Sequence, residues 1–213
     1  MYQQDSTERD LAQGSVHDAS APRPNAAAAQ MPIQAPSTLA RRVASTVAPA
    51  LGVPHLVVGG VATSYYLPGR VTRDIDILVQ AADGAQVARA LIGAGCRLQG
   101  ALSIGGSAWT LPDGTGLDVL ALASPWVRRA LAAPHRQDGV DLIALPYLVL
   151  MKLAAGRMRD EVDVEGMLAY APDDALADVR RVVAAEMPER APDLESHLFI
   201  GRAEHGDRPY LDT

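Results

Sequence analysis

The stretch Gly59 to Leu78, GGVATSYYLPGRVTRDIDIL, constrains this chain more than any other. One apolar run ends there in paired glycines, and a second opens with Asp74-Ile75-Asp76. A short strand that turns tightly into a helix, followed by a second strand, accommodates both features. Side chains alternate faces along a strand, so residues two apart share a face with Cα atoms roughly 6.5 to 7 Å apart. Asp74 and Asp76 therefore point the same way. At about 6 Å and an effective dielectric near 20, two carboxylates repel by roughly 3 kcal/mol, a sizeable fraction of the stability of an ordinary domain. A bound divalent cation turns that cost into an attraction. The plainer alternative is surface ion pairing with Arg70 or Arg73. Because Asp is depleted in strands, two of them bracketing an isoleucine need a local reason.

The 213 residues suit one domain with appendages, and a hydrophobic share of 48% is enough for a proper core. With 4% aromatics, the core must be built from Ala, Val, Leu and Ile, and base-stacking platforms are few. A formal charge of −6 argues against a broad nucleic-acid surface, although a local basic pocket fits inside an acidic whole. Cys96 is the only cysteine, residues 1–30 lack the pattern of a secretory leader, and no apolar run approaches the length of a membrane span. A soluble, cytoplasmic protein is the expectation. Of nineteen basic residues only Lys152 is a lysine. A compact ammonium does a different job from a guanidinium fork, so Lys152 is a candidate for function, with chance as the competing explanation.

Along the chain, residues 1–36 are polar and then Ala/Pro/Gln-rich, without helical or strand period, and read as a disordered arm. Residues 37–145 read as an α/β core. Ser37 caps a helix with apolar positions Leu39, Val43, Val47 and Leu51. Strands are expected at 55–58, 74–80 and 96–102, a helix between Asp83 and Ala94, and a hairpin over 108–122 whose second arm carries Asp118. A helix opens at Ser124-Pro125, and a short strand covers 140–145. Residues 146–187 read as a helical portion, with helices from Pro146, Asp160 and Asp173, and residues 188–213 as an irregular tail rich in Pro and Gly.

Paired glycines at a strand-to-helix turn expose backbone N–H groups at a positive helix end, which favours phosphate; close packing at a tight turn is the structural alternative. The carboxylates Asp74 and Asp76 follow at a distance that makes each feature more credible, since phosphoryl transfer needs held oxygens and neutralised charge. Asp118 has the same form, a carboxylate entering an apolar strand, unless it only serves the hairpin turn. If its strand neighbours the first, three carboxylates converge and suit hard Mg²⁺ or Mn²⁺. The phosphate loop G-x-x-x-x-G-K-[ST], zinc-spaced His and Cys, and the G-x-S-x-G elbow are all absent. Tyr65 and Tyr66 follow the glycine turn and could line a pocket, whereas Trp109 and Trp126 are expected in the core.

Together, Gly59-Gly60, Arg70, Thr72, Asp74 and Asp76 resemble the signature of the nucleotidyltransferase superfamily, whose best-known members are DNA polymerase beta and the antibiotic nucleotidyltransferases. Lys152 to Leu168, KLAAGRMRDEVDVEGML, is similar to the K-x4-R-x2-D-x2-D segment of the AbiEii-type branch of minimal bacterial nucleotidyltransferases. The resemblance spans roughly residues 50 to 170. It implies a nucleotidyltransferase fold, with a short mixed sheet flanked by helices and a helical C-terminal portion. It further implies that Asp74, Asp76 and Asp118 are catalytic and hold Mg²⁺ or Mn²⁺. NMP would pass from an NTP to a hydroxyl of an RNA 3′ end, a protein or a small molecule, with release of pyrophosphate. Gly59, Gly60, Arg70, Thr72, Lys152 and Arg157 would contact the nucleotide, the last two from about 140° apart round one helix. Many members carry Gly-Ser where this chain has Gly59-Gly60, so a hydroxyl is missing, for which backbone amides, or Thr63 or Ser64, would substitute. Asp160 and Asp163 would orient the helical segment, unless they form an exposed acidic helix start. The same branch implies a toxin–antitoxin component with a cognate partner protein, and the missing hydroxyl leaves open an inactive, nucleotide-binding or antitoxin-like module.

Overall fold

The computed structural model describes residues 36–205 apart from residue 138. Seven strands form one mixed sheet in the order β3-β4-β5-β2-β1-β7-β6. Its centre is β2 (Ile75–Gln80), antiparallel to β1 (Leu56–Val58) on one side and parallel to β5 (Gly116–Leu122) on the other. The expected hairpin is β4 (Gly106–Thr110) with β5, and β3 (Arg97–Ala101) closes that edge. Beyond β1 lie β7 (Val140–Leu142), parallel to it, and β6 (His135–Gln137). The sequence reading omitted β6, because His-Arg-Gln carries no apolar alternation and all three residues are exposed.

Strand alternation divides the interior into two cores. Ile75, Ile77 and Val79 of β2 and Leu117 and Val119 of β5 face one side, where Leu39, Val43 and Leu51 of the N-terminal helical run and Val87 and Leu91 of α4 (Gly84–Gly93) cover them. That run comprises α1 (Pro36–Arg42), a π-helical turn (Val43–Val47) and α2 (Ala48–Leu51). Pro49 has no N–H to offer the preceding turn, and the helix widens there. Leu78 and Leu120, on the opposite face, pack with α5 (Pro125–Ala132) and the C-terminal helices. Asp76 and Asp118 share the strand parity of Leu78 and Leu120, so they lie on the face that those helices cover.

The C-terminal helices are α6 (Leu145–Ala155), α7 (Met158–Tyr170), α8 (Asp173–Glu186) and α9 (Ala191–His205). α6 packs on α8, and α7 on α9. α9 corrects the expected irregular tail over 188–205. Pro192 stands in its first turn, where a missing N–H costs nothing, and Gly201 lets α9 approach α7 until a Cβ would strike the backbone of Glu165. Leu194 and Leu198 are buried as a result. Residues 206–213 of that tail, and the arm 1–36 except Pro36, lie outside the described residues. No helix among the described residues is long and apolar enough to cross a membrane.

Candidate active site

β2 and β5 run parallel with Asp76 directly opposite Asp118. Neighbouring strands lie roughly 4.8 Å apart, so these carboxylates project side by side from one face. Asp74 precedes β2 on the same parity. Val58, the last residue of β1, stands opposite Asp76 from the other side, and α3 (Gly59–Tyr66) begins immediately after it. The register thus sets Asp76 beside Asp118, with Asp74 on the same parity, near the N-terminal end of α3.

Dense enclosure pushes Asp76 up to about 7, the charges of Asp118 and Asp74 push further, and the Gly60 N–H and the Lys152 ammonium pull back. Enclosure, and then the charge of Asp74, also raises Asp118. The carboxylates thus feel one another and favour a proton or another cation between them. Their hard oxygens suit Mg²⁺ or Mn²⁺. Among the described residues, however, no three His, Cys, Asp or Glu side chains are gathered tightly enough to form a ready metal cage. Asp74 and Asp76 sit in separate niches, one against Gly116 and the other against Gly59.

Three glycines provide those niches. Gly59 adopts φ +57°, and a Cβ there would collide with the Asp76 carboxylate. A Cβ on Gly60 would strike the Thr72 side chain, and one on Gly116 would stand 2.6 Å from Asp74 Oδ1. The glycine pair is thus required by close approach of Asp76 and Thr72, as well as leaving the start of α3 without any side-chain cap. Gly116 was missed in the sequence, where it read only as the end of a hairpin turn. Its signal was positional: it stands one residue before Leu117, just as Asp74 stands one residue before Ile75 in the paired strand.

The hydroxyls expected to replace the missing serine point elsewhere. Thr63 is fully buried and donates to Gly59 O at 2.8 Å, and Ser64 donates to Val61 O at 2.6 Å. Both are occupied within their own helix. Tyr66 donates to Ile143 O and packs on one core, Tyr65 packs on the other, and Trp109 is buried.

Lys152 is 6% exposed, in the last turns of α6. Its Nζ donates to Asp163 Oδ2 at 2.7 Å and to Asp160 Oδ1 at 3.1 Å. Arg70 Nε reaches Asp163 Oδ1 at 2.8 Å, and Arg157 Nε reaches Asp160 Oδ2 at 2.6 Å. Burial would raise Asp163, but the hydrogen bonds from Arg70 and Lys152 hold it below the usual carboxylate range. Two expectations are corrected here. Asp160 and Asp163 are buried, at 7% and 3%, and are not an exposed helix start. Lys152 and Arg157 do not share a helix, because Gly156 at φ +58° ends α6 and Arg157 stands at the N-cap of α7. Arg70 pairs with Asp163, so the surface ion-pair explanation for Asp74 and Asp76 loses that partner, and among the described residues no ion pair involves Arg73.

No protein-family model matches this chain, and no curated protein matches it significantly. Solved structures similar to it include an antigenic nucleotidyltransferase-like protein from Paracoccidioides brasiliensis, at 19% identity over 78% of this chain and 92% of that one, TM-score 0.41. The antibiotic-resistance factor ANT(2″)-Ia is 16% identical over 79% of this chain and 93% of that one, TM-score 0.44. JHP933 from Helicobacter pylori is 12% identical over 81% and 94%, TM-score 0.45. Identities this low transfer neither substrate nor activity to this chain.

Proposed function

We propose that the chain is a metal-dependent nucleotidyltransferase that moves NMP from an NTP to a hydroxyl acceptor and releases pyrophosphate. The observation that carries this reading is the register of two adjacent parallel strands, which sets Asp76 beside Asp118 on one face, with Asp74 two residues away and the uncapped start of α3 at their side. Asp74, Asp76 and Asp118 would hold Mg²⁺ or Mn²⁺, which when bound offsets phosphate charge at the reacting centre. The N-terminal end of α3, where the Gly60 N–H already donates to Asp76, favours the triphosphate, and the buried Lys152 adds positive potential at Asp76. Asp118 would orient an acceptor hydroxyl. Positioning and electrostatics then supply most of the acceleration. Membership of the AbiEii-type branch, with a toxin–antitoxin role, extends this proposal.

A second reading, a nucleotide-binding or antitoxin-like module without turnover, is favoured by the engagement of Thr63 and Ser64 within α3. Incubation of the protein with labelled NTPs, Mg²⁺ and cell extract separates the two. Labelled product that disappears in Asp76→Asn supports transfer. NTP binding without labelled product supports the module.

A further inference from the structure

Beside Asp74 opens a cavity of about 350 Å³, lined by Val71, Thr72, Arg73, Asp74 and Arg159. Neither Gly59, Gly60 nor Lys152 lines it, but Thr72, which packs against Gly60, does, so the cavity adjoins the start of α3. Arg73 comes from the loop before β2 and Arg159 from the first turn of α7. Both are exposed, and neither has a hydrogen-bond or ion-pair partner among the described residues. Two other arginines near the centre are neutralised: Arg70 is held by Asp163 and Arg157 by Asp160. Arg73 and Arg159 are left uncompensated within one cleft of a chain whose net charge is −6.

Two guanidinium forks with free donors match the several oxygens of a phosphate better than a single carboxylate does. The cleft also contains Asp74, which repels a bare anion close to itself. A ligand that presents a phosphate to the arginines and an uncharged hydroxyl towards the carboxylates satisfies both signs. No aromatic side chain lines the cavity, so nothing there stacks on a base, and recognition falls on the phosphate. A polycationic acceptor is disfavoured by the same two charges.

We propose that Arg73 and Arg159 form a subsite for a phosphate group of the acceptor, an inference that rests on the nucleotidyl-transfer reading. Two sources share that chemistry: the backbone of a polynucleotide and a small phosphorylated hydroxyl compound. The test uses Arg73→Ala, Arg159→Ala and the double variant, whose exposed positions should leave thermal stability unchanged. Three ligands are titrated in the presence of Mg²⁺: a nonhydrolysable NTP, a short labelled single-stranded RNA, and glucose 6-phosphate with glucose as its uncharged control. The expected result is that the double variant loses about tenfold or more in affinity for the RNA or the sugar phosphate, the size of charge-assisted bonds, while NTP affinity stays within about twofold. For RNA, the slope of log affinity against log salt should fall by roughly 0.7 per arginine removed. Which ligand responds identifies the source. A matching loss of NTP affinity assigns the cleft to the triphosphate and overturns the proposal. So does binding of neither phosphate probe by a wild-type protein that binds NTP, an outcome that leaves the transfer reading standing. Arginine-dependent binding of a phosphate probe without any NTP binding would sink the transfer reading and with it the acceptor role, leaving only an anion site.

Discussion

At the residue scale, Asp76 carries the sharpest consequences. Its pKa near 7 in the folded chain lies above the unfolded value near 4, so the native state binds the extra proton between those values. Stability without divalent metal should therefore be greatest near pH 4 to 5, fall as pH rises towards 7 and level off above it, and the raised Asp118 adds to the decline with the same sign. Asp163 has the opposite sign, but its contribution is lost only below about pH 4, outside that window. Urea titrations at pH 5 and 7.5 should show the decline, and Mg²⁺ should reverse it at 7.5. Asp76→Asn should flatten the profile, stabilise the metal-free protein at pH 7.5 by about 1–3 kcal/mol, and reduce transfer by at least about a hundredfold. An unchanged profile in that variant would place the proton elsewhere. Gly116→Ala presses a methyl onto Asp74 and should cost about 1–3 kcal/mol together with most of the activity, measured by denaturation and product formation.

Between elements, the buried Lys152 joins α6 to α7, and Arg70 extends the tie to the loop before β2. Removing one partner of a buried, hydrogen-bonded charge set leaves another uncompensated. Lys152→Met should destabilise the chain by about 3–5 kcal/mol, whereas a surface change such as Arg181→Ala should stay within about 0.5 kcal/mol, both read from urea midpoints. Nucleotide affinity should also fall in Lys152→Met, since the positive potential at Asp76 disappears. The sequence showed Lys152, Asp160 and Asp163 as candidates, but their burial was invisible there. Charged residues beside a helix break read as solvated until packing shows that three of them compensate one another. The period-2 pattern, by contrast, fixed the common face of Asp74 and Asp76 without any coordinates, because strand geometry alone imposes it.

For the whole molecule, the C-terminal helices form a lid over the sheet face that bears the acids, and α9 is the outermost layer over α7. A chain ended at Met187 should lose several degrees of thermal stability and lower its nucleotide affinity, because α7 holds Asp160 and Asp163 in place. Calorimetric unfolding checks this, and an unaltered transition would mean that α9 contributes nothing. Local patterning determined every strand but β6, most helices, the hairpin that carries Asp118 and the glycine turn, since each depends on neighbours a few residues away. Tertiary structure alone decided that β5 lies beside β2 with Asp118 opposite Asp76, that Gly116 makes room for Asp74, that α9 is a helix, and that Arg73 and Arg159 share a cleft. Those facts depend on which distant segments meet and how closely, and pairing across scores of residues leaves no periodic mark in either segment by itself.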